Sequence, residues 1–277
     1  MQHKISVIIP TIGRSAEINL LLKSICLTNI PINEVIIVDQ NCNTIIDDVV
    51  KIFDGEINIL HLKVDFRGAS KARNYGTLFA TGEYICFPDD DAEFLGNTIE
   101  KALNIIEREN VQVVFGRCVD RNNNNSVSKF VNHEGYLTLR KYEGMFVEST
   151  IFINKSLFLR YLFDEKLGVG TLHGAEEGHD LVLRLLNDKI RIFYSPDLLF
   201  YHPSKILTHT NEEEIRRAFY YRSGYGRLCR KHRLTSKWLK RFSKVSIYII
   251  YLAVFNNKKC RYYIAEWLGL LTGIVIK

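Results

Sequence analysis

The sequence predicts an α/β fold, with a central, mostly parallel sheet flanked by helices and a basic helical appendage at its C-terminal end. Three observations carry that prediction. Short apolar strands alternate with helical patterns as far as Val119, the cadence of βαβ units. Acids stand where strands end, at Asp39 and at Asp89–Asp91, and open α/β sheets bind ligands off the carboxyl ends of their strands. Charge is also unevenly divided: residues 204–277 hold 16 Lys/Arg against four Glu, whereas residues 1–203 hold 21 against 27 Asp/Glu.

Ile5–Ile9 is a continuous apolar run, as a parallel strand buried on both faces requires. Pro10-Thr11-Ile12-Gly13-Arg14 turns the chain, and Ser15 is placed to cap a helix carrying Leu20, Leu21, Leu22, Ile25 and Leu27. Glu34–Asp39 reads as a second strand, Thr44–Phe53 as a short helix and Ile57–Val64 as a third strand. Arg67–Gly76 is a basic, glycine-bounded helix start, and a helix N-terminus carrying Lys71 and Arg73 beside the crevice suits a diphosphate. That helix runs to about Ala80, where Thr81-Gly82 break the pattern.

Tyr84–Phe87 is a short apolar strand stopped by Pro88, ahead of Asp89, Asp90 and Asp91. Three adjacent carboxylates repel one another, and an oxygen-seeking divalent cation relieves the repulsion. A solvated turn, or an Asp capping the next helix, is the plainer alternative. A helix capped by Asn97 or Thr98 follows to Asn110, then a strand over Val111–Val119 and a polar loop, Asn122–Asn125, expected to be mobile. Phe146–Ile153 reads as a strand and leads into a short helix ending at Leu162. Gly168, Gly170 and Gly174 then give a flexible approach to Glu176 and Glu177, at the start of a helix that continues through Leu186. Acids are favoured in the first turn of any helix, so helix electrostatics competes here with a catalytic carboxylate pair. Ile190–Tyr194 and Leu198–Tyr201 are short strands ending at His202, either a packed imidazole or a ligand.

The appendage is helical from Glu212 onward and strongly basic after Arg216. Trp238, Phe242, Val245, Ile249 and Leu252 share one helical stripe, with Lys237, Lys240, Arg241 and Lys244 mostly off it. Val245–Phe255 would make about 16 Å of helix at about 1.5 Å per residue, against the roughly 30 Å of a bilayer core. Tyr262–Ile276 is apolar but broken by Glu266. Both segments suit helices lying on an anionic membrane surface; a helical hairpin packed on the core, or a homodimer contact, is the alternative.

A chain of 277 residues, 47% hydrophobic and 25% charged, is globular and holds one large domain or one domain with an appendage. Six scattered cysteines without Cys-x-x-Cys spacing suggest a reducing compartment and argue against zinc. Met1–Lys4 run straight into the first strand without an h-region, so no signal peptide is expected and the protein is placed in the cytoplasm.

Taken in order, the motifs resemble glycosyltransferase family 2, whose members have the GT-A fold. They are Ile5–Thr11, Val35–Asp39, Ala69–Gly76, Gly82–Asp91, Phe163–Gly170 and Glu176-Glu177 ahead of Asp180–Arg184. The resemblance covers about residues 4–203 and implies a catalytic domain over 1–203, with a nucleotide-sugar half (1–119) and an acceptor and base half (120–203). Residues 204–277 become a basic amphipathic tail at the membrane surface. By the same resemblance Pro10, Thr11 and Asp39 hold the nucleoside, although Gln40 stands where many members have a second Asp. Lys71, Arg73, Asp89 and Asp90 serve the nucleotide-sugar. Asp91 and Asp89, completed by His202, bind Mn²⁺ or Mg²⁺, and Glu177 or Glu176 is the general base. Here one extra residue separates the acid pair from Asp180-Leu181; Glu177 is the favoured base.

The implied activity is inverting, metal-dependent transfer from a nucleoside diphosphate sugar, UDP-linked by preference, to a glycan or lipid-linked acceptor in surface polysaccharide synthesis. It would take place at the inner face of the cell membrane, with no nucleic-acid partner. Two alternatives compete. A sugar nucleotidyltransferase would need a Gly-rich basic loop after the first strand, which Pro10–Arg14 does not supply. A non-catalytic membrane or nucleic-acid binding module would leave the acids without a role.

Overall fold

Residues 4–204, 207–255 and 257–276 are described by a computed structural model. Met1–His3, on which part of the signal-peptide expectation rests, lie outside the described residues. The first elements follow the predicted order: β1 (Ile5–Thr11), α1 (Ser15–Cys26), β2 (Glu34–Asp39), α2 (Asp47–Ile52), β3 (Ile59–Lys63), α3 (Ala69–Thr77) and β4 (Tyr84–Cys86). β1 and β2 are buried along their whole length, as uninterrupted apolar runs demand. α1 buries Ile18, Leu21, Leu22 and Ile25, one face at helical spacing. Ser15 is its first helical residue; the cap position falls to Arg14, and no side chain caps the helix.

The chain continues through β5 (Glu93–Phe94), α4 (Thr98–Glu109), β6 (Val113–Val119), β7 (Gly135–Tyr136), β8 (Phe152–Asn154), α5 (Lys155–Tyr161), α6 (Glu177–Asn187) and β9 (Ile192–Tyr201). The predicted strand over Phe146–Ile153 is mostly something else: Glu148–Thr150 form a 3₁₀ turn, and only its end enters β8. Thr150 explains this, because its hydroxyl bonds the Gly116 carbonyl at 3.0 Å and the Val147 carbonyl at 3.0 Å, replacing ladder bonds with side-chain ones. The two strands predicted around Pro196 are one, β9. Its register against β6 shifts between Phe115 and Arg117, and Arg117 Nε donates to the Pro196 carbonyl at 2.8 Å, so the irregularity accommodates the proline. The Asn122–Asn125 loop is tied down by Asp120, which accepts from the Asn122 and Asn124 amides at 2.9 Å each.

Among the described residues nine strands form one sheet in the order β3-β2-β1-β4-β8-β6-β9-β5, with β7 also on β9. β3, β2, β1, β4, β6 and β9 run one way; β8, β5 and β7 run the other. The sheet is thus mostly parallel, and the carboxyl ends of β1, β2, β4 and β9 emerge on one side.

The chain divides into two compact units that do not follow sequence order. One comprises residues 1–67, 71–162 and 181–205 and contains the sheet. The other joins residues 68–70 and 163–180 to residues 206–277. In the second, α7 (Glu212–Lys231), α8 (Thr235–Phe255) and α9 (Asn257–Val275) pack together. Asn211 caps α7 through the Glu213 amide at 2.8 Å. Glu266 is 1% exposed, and it pairs with Arg222 of α7 and Arg241 of α8. The acid that interrupts the apolar C-terminal run therefore ties three helices together. The Trp238–Leu252 stripe faces α9: Val245 and Leu252 are buried, Phe242 stacks on Trp267 at 5.3 Å, and Trp238 Nε1 donates to the Leu270 carbonyl at 3.1 Å. The face of α8 left exposed is a different one, made of Ile247, Ile250, Tyr251, Val254 and Phe255. Among the described residues no helix is long and apolar enough to cross a membrane.

Candidate active site

Sheet topology brings the first unit's acids to His202. The β5–β9 ladder pairs Glu93 with Tyr201 and Phe94 with Phe200. That antiparallel register places the residues just before β5 opposite those just after β9, so Asp91 meets His202 although more than a hundred residues of chain separate them. His202 Nε2 lies 3.1 Å from Asp91 Oδ1 and 3.8 Å from Asp89 Oδ2. Its Nδ1 faces the Pro203 carbonyl at 2.9 Å, an acceptor that requires the Nδ1–H and turns the Nε2 toward the acids. Burial alone would lower the imidazole's pKa, but Asp91 and Asp89 hold it above its usual value.

Two arginines share these acids. Arg73, on α3 with a side chain 3% exposed, donates to Asp89 Oδ1 at 2.8 Å. Arg14, from the turn after β1, reaches Asp90 Oδ1 at 2.6 Å and Asp91 Oδ2 at 2.7 Å. The middle acid points inward: Asp90 is buried, accepts from Thr11 Oγ1 at 2.9 Å, and has its pKa pushed up to about 6 by burial, with Arg14 and Thr11 pulling the other way. The three carboxylates thus divide their labour. Asp90 fastens the segment to the end of β1, while Asp89 and Asp91 converge on His202. Arg14 is the residue that sequence reasoning missed; the available signal was a lone cation in a turn at the same sheet edge as three anions.

Asp39, fully buried, is engaged at both oxygens. Oδ1 accepts from the Asn41 amide at 2.9 Å and from Asn41 Nδ2 at 2.7 Å, and Oδ2 lies 2.9 Å from His61 Nε2. Asn41 in turn accepts from the Gly13 amide at 2.7 Å, coupling the turns after β1 and β2. Pro10 is buried in β1, in register with Val38, and Thr11 is in register with Asp39. Lys71 is exposed and lies over the Phe66 ring at 4.3 Å.

The acid pair belongs to the second unit. Glu176 has φ of +78°, a left-handed conformation that costs a residue with a Cβ on the order of 1–2 kcal/mol. Its Oε2 lies 2.9 Å from His179 Nδ1. Glu177 opens α6 and is 3% exposed. Gly168, at φ +103°, makes room for it: a Cβ there would meet Ser70 Oγ at 2.6 Å and the Glu177 carboxyl at 3.1 Å. Asp180 is fully buried against Lys231 and His232, 2.8 Å from each.

Asp89, Asp91 and His202 offer ligand atoms that all lie within 4.8 Å of one another. Two carboxylates with an imidazole anchored through its far nitrogen fit Mn²⁺ or Mg²⁺ in donor chemistry and in outer support. Asp39, Asp47 and His61 are similarly clustered, but Lys63 already pairs with Asp47 at 2.7 Å.

This helix-flanked, mostly parallel sheet is the fold of solved GT-A-type glycosyltransferases. The mannosyltransferase PcManGT from Pyrobaculum calidifontis, solved with GDP-Man and Mn²⁺, superposes with a TM-score of 0.68 at 18% identity, over 98% of this chain and 88% of that one. S. aureus TarS 1–349 with UDP-GlcNAc gives 0.60 at 20% identity, over 79% of this chain and 64% of that one. Residues 6–167 match the model of glycosyl transferase family 2, and the chain belongs to that family. It is 28% identical over 193 residues to an uncharacterized glycosyltransferase of Haemophilus influenzae, over 66% of this chain and 62% of that protein. It is 34% identical over 65 residues to the Escherichia coli UDP-Glc:alpha-D-GlcNAc-diphosphoundecaprenol beta-1,3-glucosyltransferase WfgD, 24% of this chain and 26% of that protein. The matches thus span under two thirds of either relative's length. The family match stops before Glu176, so the acid pair rests on its own geometry.

Proposed function

We propose that this chain transfers a sugar, with inversion, from a nucleoside diphosphate donor to a hydroxyl of a glycan or lipid-linked acceptor. The observation that carries the proposal is the convergence of Asp89, Asp91 and His202 beside Arg14 and Arg73. Asp89, Asp91 and His202 would hold Mn²⁺ or Mg²⁺, and such an ion supplies Lewis-acid neutralisation of the leaving diphosphate. Arg73 and Arg14 add fixed positive charge where that diphosphate would lie. Thr11 and Asp39 border the nucleoside, with Asp90 fixing Thr11 in place and Asn41 and His61 fixing Asp39. Glu177 takes the acceptor's hydroxyl proton as that oxygen attacks the anomeric carbon from the face opposite the leaving group. Glu176 stands next to it, braced by His179.

Functionally the chain reads as a catalytic region over 1–203 and a basic helical region over 204–277. Support for a UDP- or GDP-sugar comes from the UDP-GlcNAc and GDP-Man held in the TarS and PcManGT structures. Support for a lipid-linked acceptor, as in surface polysaccharide assembly at the cytoplasmic membrane face, comes from the acceptor in WfgD's name. The exposed face of α8 supports contact with that membrane.

Calorimetry with UDP- and GDP-sugars, with and without Mn²⁺, tests the donor site. One donor should bind at least tenfold tighter with the ion. Asp91→Ala should lose the metal effect, and Glu177→Gln should bind donor normally yet transfer nothing, both with unchanged melting. Transfer retained by both variants would sink the site assignment.

A further inference from the structure

The acid pair is gripped on both sides by α7. Ahead of it, the Gly174 amide donates to the Tyr220 carbonyl at 2.9 Å, and His173 Nδ1 lies 2.8 Å from Ser223 Oγ. The two backbones are too close for side chains between them. A Cβ on Gly174 would come within 2.8 Å of Tyr220 Cβ, and one on Gly224 within 2.5 Å of the Ala175 carbonyl oxygen. After the pair, Lys231 Nζ and His232 Nε2 each lie 2.8 Å from Asp180 Oδ1. Lys231 also reaches Asp164 at 2.8 Å, joined by Arg227 at 3.4 Å. Between these anchors Glu176 keeps its left-handed backbone and Glu177 stays buried.

We propose that α7 is a positioning arm for the acid pair, with Lys231 and His232 acting through Asp180 to set where Glu177 points; this rests on Glu177 being the base. Two features separate a positioning role from ordinary packing. Buried ion pairs add little net stability, because desolvating both partners offsets their attraction, so packing alone gives no reason to hold Asp180 with both a lysine and an imidazole. A strained residue also persists only where its surroundings over-determine it, and here both flanks of Glu176 are held by the same helix. The basic appendage thereby gains a task inside the molecule, beside any at a membrane.

The test uses full-length Lys231→Met and His232→Leu, with Lys231→Arg and His232→Gln as conservative partners. With the UDP- or GDP-sugar that the unmodified chain turns over, kcat should fall at least tenfold in the first two while donor KM stays within twofold. The conservative pair should recover kcat to within about threefold. Amide hydrogen exchange over 173–180 should quicken at least tenfold in the first two, with strands β1 and β2 unchanged. Unchanged exchange, or kcat and KM moving together without recovery, overturns the proposal. Quickened exchange in a chain that turns over no UDP- or GDP-sugar would leave the arm standing and sink the functional reading instead.

Discussion

Glu34 opens β2 with a carboxylate 6% exposed, and its Oε1 receives Ser6 Oγ at 2.6 Å, the Thr81 amide at 2.6 Å and Thr81 Oγ1 at 2.8 Å. Burial alone would raise its pKa, but those donors hold it below the usual carboxylate value. A folded-state pKa below the unfolded one, about 4.3 for Glu, gives stability that is present above the unfolded value and lost as pH falls through the folded one. Glu34→Gln should therefore cost about 1–3 kcal/mol at neutral pH, and the gap should narrow in acid. Urea denaturation at about pH 7 and about pH 4 measures it; equal stability at neutral pH would show that the donors are met equally well by the amide. Legibility at this scale followed the same division between charge and geometry. Asp89 and Asp91 stood out because clustered charge at a strand end demands a counter-charge, and Arg73 because it lies on a basic helix start beside the same crevice; the structure pairs Arg73 with Asp89. Asp90's inward turn, His61's hold on Asp39 and Arg14's bridge could not, since each depends on which way a side chain faces after the sheet has formed.

Elements whose pattern is set by burial alone were legible in the sequence: β1, β2, α1 and α4 are apolar on the faces the core requires. Those that depend on a distant partner were not. The Thr150 hydroxyl displaces strand pairing only because Gly116 stands opposite, and β9 passes Pro196 only because β6 shifts register there. The Trp238–Leu252 stripe was visible, and of the readings open for it the structure takes the helical hairpin with α9. α7 and α9 approach through glycine: a Cβ on Gly273 would run into the Ser223 carbonyl, and one on Gly226 would lie 2.6 Å from the Leu270 oxygen. Gly273→Val should consequently destabilise the three-helix unit by about 1–3 kcal/mol through overpacking. Thermal unfolding followed by Trp238 and Trp267 fluorescence reads it, and a melting temperature equal to that of the unmodified chain would rule out the close crossing.

Across the whole molecule, the uneven charge seen in the sequence acquires a place. Ile250, Val254 and Phe255 are each at least 70% exposed on α8, and Lys240, Lys244, Lys258 and Lys259 lie near the ends of that face in the chain. Apolar side chains framed by lysines suit the headgroup region of an anionic bilayer. The full chain should therefore co-sediment with phosphatidylserine vesicles and not with phosphatidylcholine alone. Val254→Glu with Lys244→Glu should weaken this at least tenfold, as should high salt; binding indifferent to both would remove the membrane from the account. How residues 163–180 join residues 206–277 could not be read along the chain, because the pairing is set by contacts such as Asp180 with His232. That non-sequential joining also has a consequence for the order of assembly in the cell. At roughly 5–20 residues per second of synthesis, about 3–10 s pass between the making of Asp180 and of His232. Until then Asp164 and Asp180 lack the contacts that α7 and His232 bring them, while most of the sheet strands already exist. The nascent chain thus acquires Asp89 and Asp91 first and the set Glu176-Glu177 pair last, and on the proposed reading sugar transfer would wait until α7 has left the ribosome.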